Sequence, residues 1–232
     1  MATHLVTGAG SGIGTAVSSA LQARGDDLVL LARSEERAAE LAGRFPGART
    51  IVADLADPDA VDRIDGLPDR LDSLLHVAGI VELGPVADLD TRHLREQLDV
   101  NLVAPTLLTR ACLPALRAAQ GIVVFVNSSA GLSAGAAWAA YAASKFGLRA
   151  LADALRAEEM GNGVRVTTVF PSRTATPMQE KVHEQEGKTY DSSLWISPET
   201  VAATMLHVLD VPRDATIPEV SVRPLVPWVP RS

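Results

Sequence analysis

The stretch Thr7-Gly8-Ala9-Gly10-Ser11-Gly12-Ile13-Gly14 limits what this chain can become more than any other. The short apolar run His4-Leu5-Val6-Thr7 precedes it. A helical pattern through Val17, Ala20 and Leu21 follows and ends near Arg24-Gly25, where glycine suits the position just past a helix. Glycines between a strand and a helix let the backbone turn tightly and approach a pyrophosphate, whose charge then meets the positive end of the helix. A cluster of glycines alone means only a turn. Here the strand before and the amphipathic helix after favour a phosphate loop, with Gly8, Ser11, Gly12, Ile13 and Gly14 as its candidate contacts.

Strand and helix patterns alternate along the rest of the chain. Apolar runs at Leu28–Leu31, Thr50–Ala53, Leu74–Gly79, Gly121–Val126, Val164–Phe170 and Glu219–Pro224 predict strands. Helical periodicity separates them, from about Glu35 to Gly43, from Arg92 to Gln120, from Tyr141 to about Met160, and after Ser197-Pro198. Strands that are apolar throughout are covered on both faces. The expected fold class is therefore α/β, a doubly wound and mostly seven-stranded parallel sheet of Rossmann type with helices on both faces. The 232 residues suit a single dinucleotide-binding domain over 1–232.

A net charge of −7 argues against a nucleic-acid or anionic-membrane partner, either of which needs a basic face. The single cysteine, Cys112, sits among Leu and Ala on a helical pattern and is expected to pack in a core within a reducing compartment. Met1-Ala2-Thr3-His4 does not start like an export signal, and the apolar segment Gly131–Ala143 is too short to cross a bilayer. A cytoplasmic protein without a metal centre is the expectation.

Four residues separate Tyr141 from Lys145, so phenol and ammonium share one face of an Ala-rich helix. A lysine cation there favours phenolate and lowers the tyrosine's pKa. A tyrosine so tuned suits general acid or base work between a carbonyl and an alcohol. The same spacing also describes a phenol packed beside a snorkelling lysine. Asn101 lies four residues before Pro105, which has no N–H, so the long helix should kink there and free a carbonyl able to hold a water. Ser128 and Ser129 follow a strand and suit either a turn or an oxygen-binding role. Arg33 follows the second strand with no acid at its end, the arrangement that favours a 2′-phosphate, hence NADP rather than NAD. Asp54-Leu55 closes the third strand, although Asp57-Pro58 makes the better helix start.

These motifs, from Thr7 through Thr176, resemble the short-chain dehydrogenase/reductase family, whose glycine fingerprint reads T-G-x-x-x-G-x-G. The resemblance implies hydride transfer between nicotinamide and a small carbonyl or alcohol substrate, with NADP(H) favoured and NAD possible. It assigns Tyr141 the acid/base role, Lys145 the tuning of Tyr141 and a hold on the nicotinamide ribose, and Asn101 a relay water. It places the oxygen-binding serine thirteen residues before the tyrosine with glycine three further on, which Ser128 satisfies and Ser129 narrowly misses.

The resemblance also implies that Asp54, with Leu55, meets the adenine, and that Ala78-Gly79 lets the backbone approach the nucleotide. The family's Asn-Asn before that pair is replaced by His76-Val77, with His76 expected as a structural substitute. In the loop P-G-x-(V/I)-x-T, Pro171 and Thr176 match, whereas Ser172 and Thr174 depart. Residues from about 177 to 196 are expected to form a substrate lid, with Met178, His183, Tyr190 and Trp195 as candidates. A homodimer or homotetramer is expected, and the tail with Trp228 packs on a neighbour or on nothing. Two alternatives are a nucleotide-sensing protein without turnover on the same fold and a sugar-nucleotide epimerase or dehydratase.

Overall fold

A computed structural model describes residues 1–225; Trp228 lies outside them. Among the described residues, seven strands form one sheet: β1 (Thr3–Thr7), β2 (Asp27–Ala32), β3 (Arg49–Val52), β4 (Ser73–His76), β5 (Ile122–Val126), β6 (Arg165–Pro171) and β7 (Glu219–Val222). Their order is β3-β2-β1-β4-β5-β6-β7, and every neighbouring pair is parallel. The helices are α1 (Gly12–Ala23), α2 (Glu35–Arg44), α3 (Pro58–Asp62), α4 (Thr91–Leu98), α5 (Ala104–Ala119), α6 (Ala139–Glu159), α7 (Pro177–Gln185) and α8 (Pro198–Asp210). This is the doubly wound Rossmann-type fold that the alternating pattern predicts.

The two-residue period of a strand divides the core into two layers. Leu5, Leu74, Val123 and Phe125 face one side, where they meet Leu108, Cys112 and Leu116 of α5 and Leu148, Ala152 and Leu155 of α6. Val6, Leu75, Val124 and Val126 face the other, against Val17 and Leu21 of α1, Leu41 of α2, and Val201, Met205 and Val208 of α8. Cys112 is buried, and burial pushes its thiol up to about 12, so it packs as an apolar group. Among the described residues no helix is long and apolar enough to cross a membrane.

Helix starts follow their local chemistry. Asp57 caps α3 and Ser197 caps α8, each followed by proline at the first helical turn, where its missing N–H costs nothing. The long helix predicted from Arg92 to Gln120 runs without a gap from Thr91 to Ala119, through a π turn rather than a simple kink. A π turn, Asp99–Val103, separates α4 from α5 just ahead of Pro105, and the Ala104 N–H reaches back to the Asp99 carbonyl. The wider turn absorbs the proline, as π bulges do, and carries Asn101 inward.

Strand order reverses direction between β1 and β4, so the crevice beyond their carboxyl ends is where a ligand fits such a sheet. Thr7 braces that edge. Its Oγ1 accepts from the Val77 and Ala78 N–H groups at 3.0 and 3.1 Å. His76 packs beneath: its Nε2 pairs with Thr109 Oγ1 at 2.8 Å and its ring stacks on Phe125 at 4.9 Å. Burial, then the Lys145 charge, brings its pKa down to about 3, so His76 is a neutral packing residue, as expected of a structural substitute.

Candidate active site

A cleft of 720 Å³ opens at this edge, lined by the glycine loop, Ala78-Gly79, the ends of β5 and β6, Tyr141, Lys145 and part of α7. Gly8 has φ +74°, in the left-handed region that an L side chain resists. A Cβ on Gly14 would stand 2.0 Å from the Gly8 carbonyl oxygen, a backbone contact that cannot give way. Ser11 sits at the N-cap of α1 without bonding its first amides, leaving the positive end of that helix facing the loop. Such a cradle, too tight for side chains and ending on an uncapped helix, fits the pyrophosphate of a dinucleotide.

Asn127 and Ser128 follow β5. Asn127 Nδ2 donates to the Lys145 carbonyl at 2.9 Å, and its Oδ1 accepts from the Ser128 N–H at 2.8 Å. One side chain therefore ties the serine's backbone to the helix that carries Tyr141 and Lys145. Ser128 Oγ accepts from the Ala130 N–H at 3.1 Å, and Ser128 stands with Tyr141 on the cleft wall. Ser128, and not Ser129, is the serine whose side chain opposes the upward shift of the Tyr141 phenol.

Lys145 is 3% exposed, and its Nζ donates to the Val126 carbonyl at 3.2 Å and lies 5.8 Å from the Tyr141 ring centroid. An ammonium has three donors, so this bond leaves two for other partners. Asn101 Oδ1 accepts from the Ile80 N–H at 2.9 Å, while Nδ2 donates to the Ile80 carbonyl at 2.9 Å and to Ser144 Oγ at 3.0 Å. Ser144 in turn donates to the Tyr141 carbonyl at 2.7 Å. Asn101 thus fastens the segment after β4 to α6.

One expectation is corrected here. Lys145 does not depress the tyrosine in this geometry. Burial pushes the Tyr141 phenol up to about 12, opposed by the Ser128 side chain, and burial brings Lys145 down to about 8. Desolvation disfavours both charges. The phenol is therefore a protonated acid at neutral pH.

Of the predicted cofactor contacts, Gly8, Ser11, Gly12, Ile13, Gly14, Ala78, Gly79, Tyr141, Lys145, Pro171, Thr174 and Thr176 all line the cleft. Arg33, Asp54 and Leu55 do not; Arg33 and Asp54 are exposed just beyond the carboxyl ends of β2 and β3, on the same edge of the sheet. Asp54 Oδ1 accepts from the Ala56 N–H at 3.0 Å, and Leu55 packs against the core. Ser172 continues the sheet, its N–H bonding the Val222 carbonyl at 2.9 Å, so serine follows that path without a glycine's freedom. Thr176 caps α7 and presses on the glycine loop.

The segment over the cleft is α7 and the chain returning from it. Glu82 holds it down by bonds from Lys181 Nζ and Gln185 Nε2, each 2.7 Å, and the Leu83 N–H donates to Gln185 Oε1 at 3.1 Å. Met178 and Trp195 line the cleft, whereas His183 is a buried hub, with Nδ1 2.8 Å from the Gln179 carbonyl and its ring against Tyr190 and Trp195. Sequence reasoning missed Asn127 and Arg37. Arg37 Nη2 donates to the Gly10 carbonyl at 3.2 Å, a role signalled only by its place one turn after Arg33.

A cleft beside a glycine loop, with a buried phenol and lysine and a half-buried serine on one wall, defines an oxidoreductase of the dinucleotide-binding class. The family model described as short chain dehydrogenase matches residues 2–187, and the chain belongs to that family. A curated relative, 1-deoxy-11-beta-hydroxypentalenate dehydrogenase of Streptomyces exfoliatus, is 36% identical over 220 residues, 88% of this chain and 78% of the relative. Among solved structures, a short-chain dehydrogenase from Escherichia coli CFT073 complexed with NADPH superposes with a TM-score of 0.85 at 29% identity, over 96% of this chain and 97% of that one. One from Shigella flexneri 2a strain 301 complexed with NADP gives 0.84 at 28%, over 95% and 96%. The chain is accordingly an NAD(P)-dependent oxidoreductase acting on a small molecule.

Proposed function

We propose that this protein interconverts a carbonyl compound and the corresponding alcohol with NADP(H) in preference to NAD(H). The observation that carries the reading is Tyr141, Lys145 and Ser128 together at the wall of a cleft whose other wall is the glycine loop. When bound, a nicotinamide dinucleotide supplies the hydride donor or acceptor. Gly8, Ser11, Gly12, Ile13, Gly14, Ala78, Gly79, Pro171, Thr174 and Thr176 would hold it, with Arg33 at the 2′-phosphate and Asp54-Leu55 at the adenine.

Tyr141 gives its proton to the substrate oxygen in reduction and removes it in oxidation. A phenol that stays protonated at neutral pH is ready for the first of these. Ser128 donates to the same oxygen and steadies its developing charge. Lys145 uses its remaining donors on the ribose and on a water anchored near Asn101, through which the phenol regains its proton. Residues 177–196 act as a lid belonging to the same single domain. The named relative supports an alcohol as the group acted on. A homodimer or homotetramer and a cytoplasmic setting accompany the reading.

The test is a spectrophotometric screen of neutral and charged ketones, aldehydes and secondary alcohols with each of the four nicotinamide cofactors. Turnover with higher kcat/KM for NADP(H) is expected. Tight cofactor binding without turnover of any compound would replace this reading with a nucleotide sensor.

A further inference from the structure

Trp138 stands between two hollows. On one side is the cleft of Tyr141; on the other is a hollow of 360 Å³ lined by Leu83, Gly84, Ala137, Gln185 and Lys188 among others. The indole belongs to both walls, and it meets the Tyr141 ring edge-on at 5.8 Å and 66°. It is held there at a cost to the backbone. Ala137, the residue before it, has φ +66°, in the left-handed region that alanine resists. The Gly84 N–H, donating to the Ala137 carbonyl at 2.8 Å, pins that conformation. Strain that persists beside a reactive group points to a task for the residue it positions.

The chemistry of the wall says what the task concerns. Val81, Ala130 and Val182 are buried around Tyr141, with Leu83, Met178 and Trp138 packed against them. Among the described residues no aspartate or glutamate lines the cleft. Its arginine nearest Trp195, Arg173, is paired with Glu186 at 2.7 Å and lies 5.5 Å from that ring. Arg223 also lines the cleft, exposed just past the end of β7. A charged group seated against this apolar cluster, rather than beside Lys145 or Arg223, would lose its hydration there, while an aliphatic one gains by leaving water.

We propose that the site takes a neutral, apolar ketone or its secondary alcohol, and that Trp138 fixes how large that molecule can be. The proposal rests on the oxidoreductase reading above and names the substrate class of that same site. Truncating the indole joins the two hollows, so longer molecules gain room while short ones lose a packing wall.

The experiment compares wild type, Trp138→Ala and Trp138→Phe, each with NADPH. The probes are cyclohexanone, neutral methyl ketones from butanone to dodecanone, and keto acids of matching length such as levulinate. Turnover and calorimetric binding are measured separately, with circular dichroism to confirm folding. Neutral ketones are expected to bind and react at least about tenfold better than the keto acids, a difference of about 1.4 kcal/mol. Trp138→Ala should shift the ratio of kcat/KM for long over short ketones at least about tenfold upward, and Trp138→Phe should keep the wild-type preference. A preference for keto acids would move recognition to Arg223 and overturn the inference, as would an unchanged size profile in Trp138→Ala. Either result with turnover intact leaves the oxidoreductase reading standing. Neutral ketones bound in this order without turnover would instead refute that reading and keep the ligand assignment.

Discussion

Replacing His76 by asparagine should remove a specific part of the protein's sensitivity to acid. His76 is 3% exposed, stacked on Phe125 and bonded to Thr109, and its pKa is brought down to about 3 from 6.5. A histidine held neutral in the fold but free to charge when unfolded makes the unfolded chain bind more protons between those two values. Its stabilising contribution is therefore complete above pH 6.5 and is lost as pH falls toward 3. With 1.36 kcal/mol for each tenfold step in proton concentration, the loss between pH 7 and pH 5 is about 2 kcal/mol. His4, whose pKa burial also lowers, adds loss of the same sign but remains in the variant, so it cancels in the comparison. Asparagine is smaller and gives up the ring stack, which should cost about 1–3 kcal/mol at pH 7. The quantity to read is the change with pH, not that offset. Urea unfolding of both proteins at pH 7, 6 and 5 should bring the variant's disadvantage down by about 2 kcal/mol, leaving the two proteins within about 1 kcal/mol of each other at pH 5. Curves that stay parallel would mean that His76 protonates as easily in the fold as outside it, and the argument from burial would fail.

Gly14→Ala, whose Cβ would stand 2.0 Å from the Gly8 carbonyl oxygen, should weaken NADPH binding by about a hundredfold in fluorescence titration. Wild-type affinity would show that the loop can open without loss. Arg33→Ala should weaken NADPH by about tenfold to a hundredfold, as expected for one hydrogen bond to a charged group, while leaving NADH nearly unchanged. Equal losses for both cofactors would rule out a 2′-phosphate contact at Arg33. Asn127→Ala removes the tie from Ser128 to the Lys145 carbonyl and should lower kcat by about tenfold with KM for NADPH little changed. A pure KM effect would assign Asn127 to cofactor binding instead.

The fold was legible because its signals are local and repeated. Each apolar strand run and each capped helix start, such as Asp57-Pro58 and Ser197-Pro198, reports its own geometry. The cleft wall of Ser128, Tyr141 and Lys145 was legible for a different reason: Tyr141 and Lys145 share one helix, and Ser128 stands thirteen residues before Tyr141 in the chain. What stayed hidden depends on three-dimensional closure. No spacing reveals that Thr7 braces β4 or that Arg37 reaches the Gly10 carbonyl. The π turn at Asp99–Val103 reads as an ordinary proline kink, since both follow from the same missing N–H. The direction of the Tyr141 shift went wrong because sequence shows the neighbouring lysine but not the burial that outweighs it. His183 reads in the sequence as a candidate lid residue, and its burial against Tyr190 and Trp195 is equally invisible in a linear pattern.

The claim at the centre of the account is that the Tyr141 hydroxyl moves the proton when a carbonyl is reduced. Single-turnover oxidation of NADPH by a reactive ketone, compared between wild type and Tyr141→Phe with NADPH affinity measured on both, tests it most directly. The account predicts a rate lower by at least about a hundredfold, the lower end for a lost general acid, with affinity within about threefold. A Tyr141→Phe variant that turns over near the wild-type rate would contradict it.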